Sequence, residues 1–413
     1  MRAGDCRVFG NDFLPTDAGL QPAARYRLML MRIAMALALL AACFAPRMEG
    51  QARPTGDPSA ENAAVKYLRA DAALRQSYPL APDAVTKLER DPESPLSSED
   101  EKLAAAAGYA LAEFHHGAAI RQCDWDMSIE DGPFANTAHR VAIRELAAVS
   151  TLRARLRFRD GDNPGAMADV LDAMAAARHL SLDGSIASVL ISYKLENLLR
   201  GVLARNLYRF SPAQLNDLAR GLDALPAGSS MGAAFASEKV RRDDLFFFGV
   251  VQGAKTRDEL IERLVAKVPP LESKRELAGK VVDGCGGSLA GFERCIDQKR
   301  SFYESWAGRF TLPPEQFEAA YTAEIEKASK ENPLIREFTP NLGRFRWAET
   351  YSRTRRVLLR AAVAVRLDGP AALSLHPDPY DQQPFSYVPV DGGFRLESRL
   401  KEGGVPIAFS VTP

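Results

Sequence analysis

The 413-residue chain has no excess charge of either sign, because 53 lysine and arginine residues balance 53 aspartate and glutamate residues. Proteins that bind nucleic acid usually carry a clear basic excess, so this balance predicts that no nucleic acid is bound. The sequence has no H-E-x-x-H motif and no P-loop, and no G-x-S-x-G or G-x-G-x-x-G lies in the strand–helix context that those motifs need. The sequence therefore predicts no cofactor and favours a protein that is not an enzyme.

A hydrophobic run long enough to cross a membrane is also missing from the N-terminal region. The apolar run Ile33–Ala45 follows Arg32 and has thirteen residues without a charge. As a helix it would span about 20 Å, well short of the roughly 30 Å hydrocarbon core of a membrane. A basic residue before a short apolar segment is typical of a secretory signal peptide. We therefore expect residues 1–45 to be a signal-peptide region, with the true start at Met29 or Met31.

The end of this signal region allows two kinds of processing. Leu40-Ala41-Ala42-Cys43 resembles a bacterial lipobox, in which the cysteine becomes the lipidated first residue of the mature protein. Small residues at Cys43-Phe44-Ala45 and Gly50-Gln51-Ala52 are alternative sites for ordinary cleavage. We expect an exported bacterial protein, either periplasmic or a lipoprotein that touches the membrane only through a lipid anchor at Cys43. Residues 46–60 are expected to form a linker.

Cysteine is scarce, and outside the signal region only Cys123, Cys285 and Cys295 remain. In an oxidising compartment Cys285 and Cys295 could form a disulfide around a glycine-rich turn, which would stabilise the fold by about 2–3 kcal/mol on the loop-entropy model. The alternative is a pair of reduced thiols in the same turn. A single C-x9-C pair lacks the doubled CxxC spacing that is typical of a zinc site.

The stretch Asn136–Tyr208 predicts three consecutive helices. The first has an apolar stripe at helical spacing, formed by Ala142, Leu146, Val149, Leu152 and Leu156. It ends at Asp160-Gly161, where glycine can adopt the left-handed conformation that closes helices. Asn163-Pro164 then begins the second helix, as its N-cap and first helical residue. The third helix, after Asp183-Gly184-Ser185, is apolar on most sides, which predicts that it is buried between other helices.

The first two of these helices resemble a tetratricopeptide helix–turn–helix, from Arg153 through Gly161 to Ala166 and Ala173. A single copy cannot bury a continuous core, so we expect divergent helices as its neighbours. The predicted fold class is mainly α, an irregular helical-hairpin (tetratricopeptide-like) bundle or solenoid over residues 61–367. The arginines between positions 140 and 159 are interpreted as a solvated helix face.

Residues 368–413 differ in character from the rest of the chain. Phe385–Val390 and Gly393–Ser398 have strand-like composition and flank an Asp-Gly turn, which indicates a β-hairpin. Ile407–Val411 is a candidate third strand. Such a small sheet is stable only when it packs on something else. We therefore expect a C-terminal antiparallel β-hairpin packed on the last helix, Leu342–Leu367.

The densest group of reactive side chains lies between residues 115 and 139 and consists of His115, His116, Asp124, Asp126, Glu130 and His139. Histidine and carboxylate groups are suitable metal ligands or acid–base groups, so one interpretation is a metal or catalytic site. The other is a capped loop in which Trp125 is buried and the carboxylates cap the next helix. The sequence favours the capped loop, because the spacing matches no known motif and adjacent histidines on a helix point about 100° apart.

Four segments resemble an uncharacterised family of exported, mostly α-helical bacterial proteins, and these are Glu61–Ala64, Cys123–Trp125, residues 146–180 and Asp378–Leu396. The resemblance implies a helical architecture and export, but no activity. The tail is also similar to the Asp-Pro-x-x-x-x-Pro-x-x-Tyr hairpin of the major pseudopilins of type II secretion. Leu396–Arg399 replaces that family's aromatic-Ser-Leu-Gly ending, and no prepilin methylation site is present. We interpret the likeness as a similar β-hairpin in two unrelated proteins, which does not predict a pilus.

Two functional hypotheses follow from these observations. The first is an exported, non-catalytic helical scaffold of the cell envelope that binds a protein or peptide partner, as tetratricopeptide proteins bind peptides on concave faces. The alternative is a periplasmic metal-dependent hydrolase built on the 115–139 group, which requires at least three of those side chains to converge on one point. The lack of a catalytic motif favours the scaffold.

Overall fold

The computed structural model describes residues 61–77, 94–126, 138–238, 245–267 and 273–413. The predicted signal region, the lipidation at Cys43 and the linker at 46–60 lie outside these residues. Within them the chain is mainly helical with a small antiparallel sheet at the C-terminus, which confirms the predicted fold class at that level. None of the described helices is both long enough and apolar enough to cross a membrane.

The described ranges contain fifteen α-helices. In chain order they are α1 (Ala63–Ser77), α2 (Ser98–Ala106), α3 (Gly108–Ala119), α4 (Ala138–Asp160), α5 (Asn163–Leu180), α6 (Ile186–Asn206), α7 (Pro212–Ala224), α8 (Met231–Glu238), α9 (Leu245–Val251), α10 (Arg257–Lys267), α11 (Lys274–Gly284), α12 (Leu289–Ala307), α13 (Pro314–Glu331), α14 (Pro333–Phe338) and α15 (Leu342–Asp368). The three central helices α4, α5 and α6 correspond to the three that the sequence predicts.

Helices α4 and α5 form a hairpin whose turn is set by local backbone chemistry. Gly161 adopts a φ of 85°, in the left-handed region that ends helices. Asp162, rather than the predicted Asn163, is the N-cap of α5 and accepts a 3.0 Å hydrogen bond from the backbone N–H of Gly165. Pro164 lies in the first turn of the helix, where its missing N–H interrupts no helical hydrogen bond.

The central helix α6 is buried between the hairpin and α15. Its N-cap is Ser185, whose hydroxyl accepts a 3.1 Å hydrogen bond from the backbone N–H of Ser188. Apolar residues such as Leu195 and Leu199 fill one side, as predicted for a helix enclosed by others. The side that faces α15 is instead rich in buried polar and charged groups.

The C-terminal sheet has the order β1-β2-β3, with both pairs antiparallel. Its strands are β1 (Ser386–Val390), β2 (Gly393–Glu402) and β3 (Val405–Val411). Gly392 has a φ of 73° in the predicted Asp-Gly turn. Leu396 lies opposite Tyr387 on one side and Phe409 on the other. The buried face of the sheet contacts α6 and α15 and belongs to the same hydrophobic core as the central helices.

The described residues contain three hydrophobic clusters. The largest joins α1 and α3 to α7, α15 and the sheet. A second is centred on Trp306 and Phe317, and a third on Phe247 and Phe292. Because α9 to α12 fill the third cluster, this part of the chain has apolar packing of its own.

Several helix boundaries differ from the sequence predictions. The pattern predicts one helix from Ser98 to about Gln122, but the chain has two, which meet at Ala107. The sequence pattern of α1 places Leu68 on one apolar face with Tyr67 and Leu74, but Leu68 is 50% exposed whereas the other two are fully buried. Helix α11 lies between Pro269-Pro270 and the glycines of 284–291, which predict an interruption of the chain there, and the sequence pattern does not predict the short helix α14.

Candidate functional site

The two adjacent histidines of α3 diverge, as helical geometry requires. The Nδ1 atom of His115 lies 2.6 Å from a carboxylate oxygen of Asp172 on α5, so this pair joins the two helices. His116 instead lies 3.9 Å from Glu113, one turn earlier on its own helix. Burial raises the pKa of Asp172, and the hydrogen bond to His115 opposes that shift. Each histidine therefore has a different carboxylate neighbour.

Asp124 holds the loop after α3 against the start of α1. Its backbone N–H donates to the side-chain oxygen of Asn62 at 2.9 Å, and the Asn62 amide donates back to the Asp124 carbonyl at 2.7 Å. The Asp124 carboxylate accepts a 2.9 Å hydrogen bond from the backbone N–H of Asp126, whose φ is 48°. This turn fixes the loop locally, since short aspartate side chains commonly bond to the backbone two residues later.

Trp125 is partly buried and packs against the largest hydrophobic cluster. Its indole N–H donates a 2.8 Å hydrogen bond to the backbone carbonyl of His179, and its ring stacks on Tyr67 with centroids 6.0 Å apart. The Tyr67 hydroxyl lies 2.8 Å from Nδ1 of His179. Burial lowers the pKa of His179 to about 4, so this ring is neutral at pH 7. Burial likewise raises the pKa of the neighbouring Cys123 thiol to about 12.

His139 belongs to a different group, centred on Asp183 at the start of α6. The carboxylate of Asp183 lies 2.9 Å from Nε2 of His139 and 3.4 Å from Nη2 of Arg140. It also accepts hydrogen bonds from the Ser188 hydroxyl and from the backbone N–H of Ser185. Although burial opposes ionisation, these donors lower the pKa of Asp183 to about 2. We call these five residues the Asp183 cluster.

The structure therefore does not bring the predicted site residues together. His115, His116, Asp124 and His139 each contact a different group, and Glu130 lies outside the described residues. In the part of the chain that is described, no three histidine, cysteine or acidic side chains are placed to hold a metal ion. His115 and His139 join helices, Asp124 joins a loop to the start of α1, and His116 lies near Glu113 of its own helix.

The predicted disulfide partners Cys285 and Cys295 are neighbours across the turn between α11 and α12. Both are buried free thiols, and they are hydrogen-bonded to each other. Burial, followed by the effect of Cys295, raises the pKa of the Cys285 thiol far above its usual range. We call these two residues the cysteine pair, and a disulfide between them stays a prediction.

A G-x-S-x-G sequence occurs at Gly228–Gly232 but does not form a nucleophile elbow. A loop, not a strand, precedes it, and α8 begins at Met231. The hydroxyl of Ser230 accepts a 3.1 Å hydrogen bond from the backbone N–H of Ala233, so it caps the helix. The neighbouring Ser229 backbone N–H donates to the buried hydroxyl of Ser181 at 2.8 Å. The motif therefore serves to begin a helix.

The arginine face of α4 is not simply solvated, contrary to the sequence interpretation. Arg153 contacts the fully buried Asp169 of α5 with two nitrogens, the shorter contact being 2.5 Å. Arg157 reaches the same carboxylate at 3.0 Å. Burial raises the pKa of Asp169, and the two arginines oppose this. Arg153 and Arg157 therefore connect the two helices of the hairpin, whereas Arg159 is about half exposed and contacts Glu101 of α2.

A second charged group, which sequence reasoning missed, lies where α5, α6 and α15 meet. The buried carboxylate of Glu196 lies 3.2 Å from Nε of Arg178, contacts the guanidinium of Arg200, and lies 3.8 Å from Nη2 of Arg356. Arg355 adds a fourth guanidinium nearby, 4.5 Å above the ring centroid of a phenylalanine of β3. We call these five residues the arginine cluster.

The arginine cluster places several positive charges around one buried acid. Burial lowers the pKa of Arg200, and repulsion from Arg356 and Arg178 lowers it further, while Glu196 opposes both effects. Attraction to the three arginines lowers the pKa of Glu196 despite its burial. The sequence signal for this group is a run of basic residues on the last helix, and the same pattern is typical of a helix face exposed to solvent.

Comparison with known proteins identifies no relative of this chain. No protein-family model, no curated protein and no solved structure matches it. The resemblances carried by the four sequence segments therefore stay predictions. Two of those segments, Glu61–Ala64 and Cys123–Trp125, are in direct contact through the Asn62–Asp124 hydrogen bonds.

Proposed function

We propose that this chain is an exported, non-catalytic helical scaffold of the bacterial cell envelope that binds a protein or peptide partner. The observation that supports it best is the use made of the reactive side chains between 115 and 139. His115 links α3 to α5, Asp124 links a loop to α1, and His139 links α4 to the start of α6. A hydrolase would need such groups to converge on one point that a substrate can reach.

The arrangement of the central helices supports the same proposal. The α4–α5 hairpin, followed by the buried helix α6, has the succession of antiparallel helices from which tetratricopeptide-like scaffolds are built. Divergent helices on both sides replace further repeats. Two apolar side chains, Val141 at 38% and Leu182 at 42% exposure, flank the Asp183 cluster on the surface of this unit. They are suitable positions at which to detect a partner.

Export and partner binding can be tested in one experiment. The full-length chain is expressed in a Gram-negative bacterium with a photo-crosslinking amino acid at Val141 or Leu182, and at the exposed Lys280 of α11 as a matched control. We expect the chain in the envelope fraction with its signal region removed, and one saturable crosslinked species that Lys280 does not give. A full-length chain that stays in the cytoplasm, or identical crosslinks from all three positions, would argue against the proposal.

The metal-dependent alternative has its own decisive measurement. The metal content of the purified protein, prepared without affinity histidines, is compared with that of an Asp124→Ala, Asp126→Ala double variant. One equivalent of metal that the double variant loses would overturn the scaffold proposal and make the 115–139 region a metal site. Equal metal content in the two proteins, with both folded by circular dichroism, supports a structural role for these carboxylates.

A further inference from the structure

We propose that the arginine cluster binds a phosphoryl group, free or as a phosphate monoester, which enters from the exposed side of Arg356. This inference goes beyond the scaffold function and does not depend on it. It rests on the balance of charge, on the hydrogen-bond donors that remain unfilled, and on the side chains through which solvent reaches the cluster.

The charges around Glu196 do not balance. Arg178, Arg200 and Arg356 surround this single buried carboxylate, and Arg355 lies beside Arg200. Four positive charges against one negative charge leave about three uncompensated positive charges in a largely buried region. Glu349 of α15 lies 3.2 Å from Arg346 and is matched by it. Like charges held close together away from water oppose one another strongly. A dianion bound beside them would neutralise most of this excess.

Several guanidinium donors of the cluster are unused. Each arginine carries five N–H donors, yet the buried Nε atoms of Arg200, Arg355 and Arg356 have no hydrogen-bond partner among the described residues. Arg356 makes no hydrogen bond at all within this part of the chain, and its contact with Glu196 is 3.8 Å long. Buried donors without partners are rare in folded proteins and call for an explanation. These donors would be satisfied by an anion that brings its own acceptor oxygens.

The cluster is open to solvent on one side. The side chains of Arg356 and Arg360, one turn apart on α15, are 41% and 38% exposed, whereas that of Arg200 is fully buried. Arg360 lies 2.5 Å from Asp223 of α7, whose side chain is 64% exposed. This exposed carboxylate is the competing acid at the entrance. A small anion can therefore reach Arg356 directly, with Arg178 and Arg200 behind it.

A phosphoryl group fits this description better than a single carboxylate. It carries a charge of about −1.5 to −2 at pH 7 and three strong acceptor oxygens. Its charge offsets most of the excess around Glu196, and its oxygens can accept hydrogen bonds from the half-exposed guanidinium of Arg356, which makes none within the described residues. The planar guanidinium of arginine is suited to two-pronged binding of phosphate oxygens.

Binding is tested on the full chain by titrating inorganic phosphate, and separately glycerol phosphate, in calorimetry and in thermal unfolding, with sodium chloride adjusted to constant ionic strength. The key variant is Arg356→Gln, and Arg353→Gln is the matched control, because Arg353 is an exposed arginine of the same helix. We expect phosphate to raise the midpoint of unfolding, and Arg356→Gln to weaken binding by about tenfold or more, since it removes hydrogen bonds to a charged group. Arg353→Gln should bind as the unmodified chain does.

Two further results decide the proposal. Without phosphate, Arg356→Gln should unfold at the same temperature as the unmodified chain or higher, because it removes repulsion. If Arg356→Gln does not fold, Arg356→Lys keeps the charge but loses the two-pronged geometry, and it should still bind more weakly. No stabilisation beyond that by chloride, or equal losses in the Arg356 and Arg353 variants, would overturn the proposal. Tighter binding of glycerol phosphate than of inorganic phosphate would identify a monoester as the ligand.

Discussion

Replacing Asp183 with asparagine is expected to destabilise the protein in a pH-dependent way. The carboxylate is buried and receives hydrogen bonds from His139, Arg140, Ser185 and Ser188, the first two of which are basic residues of α4. Asparagine has nearly the same shape but no charge, and its amide nitrogen cannot accept any of these bonds. The variant therefore removes the charge and keeps the volume.

The magnitude follows from the pKa of this group. Its pKa falls from 3.8 to about 2 in the folded state, chiefly through the donors that outweigh burial. At about 1.4 kcal/mol for each pKa unit, ionised Asp183 stabilises the fold by about 2 kcal/mol at neutral pH. Because the folded pKa is lower than the unfolded one, this contribution is complete above about pH 5 and is lost as the pH falls toward 2. Roughly half of it should be gone at pH 3.

The assay is urea unfolding followed by circular dichroism at pH 7, 5 and 3, on the unmodified chain and on Asp183→Asn. We expect the variant to be less stable by at least about 2 kcal/mol at pH 7, and the difference to shrink by about half at pH 3. Asp160→Asn, which changes an exposed carboxylate at the end of α4, is the control and should leave stability unchanged. A difference that stays constant with pH would refute the electrostatic explanation, and so would a variant as stable as the unmodified chain at pH 7.

Three other predictions concern the interior. Burial lowers the pKa of His179 to about 4, so the unfolded chain binds this proton at a higher pH than the folded chain, and the free energy of unfolding should fall by about 3 kcal/mol between pH 7 and pH 4. In urea titrations His179→Gln should remove most of this pH dependence. A pH profile of stability that the variant leaves unchanged would contradict the prediction. Gly117→Ala would place a Cβ atom 2.8 Å from the ring of Tyr67 and should lower the free energy of unfolding by about 1–3 kcal/mol. Gly108→Ala, whose Cβ would have no atom within 4 Å, should be neutral or slightly stabilising. Equal effects of the two variants on stability would exclude the steric explanation. Mild oxidation should link the cysteine pair and raise stability by about 2–3 kcal/mol, which non-reducing peptide mapping by mass spectrometry checks; thiols that stay reduced in the folded protein would rule the disulfide out.

The fold could be predicted from the sequence wherever local patterns determine it. The stripe on α4 predicts its buried face correctly, and residues such as Leu146 and Leu152 are fully buried. The glycine at 161 ends that helix, and the Asp-Gly turn predicts the C-terminal hairpin correctly. These features depend on residues a few positions apart, and their physics is therefore visible in a short window of sequence.

The charged groups could not be predicted, because their partners are distant in the sequence. Asp183 is 44 residues from His139, and Arg355 is 158 residues from the carbonyl of Asn197 that it binds. The apolar residues of α6 predict that this helix is buried, but they do not indicate that the charged side chain of Arg200 is buried with it. On α15, the buried Arg355 and the exposed Arg353 lie two positions apart in the same basic segment of the sequence. Only the packing of α6 on α15 separates them.

The position of the sheet has a consequence for the order in which the chain can fold. Phe394, Leu396 and Phe409 complete a core whose other parts come from α1 and the central helices. A ribosome releases these strands after the helices, so the early helices keep an apolar face uncovered until the strands have emerged. Contacts between such remote segments form slowly. If the chain is exported, as we propose, this delay leaves it without a finished core during synthesis, which is the state that a translocation channel for unfolded chains accepts.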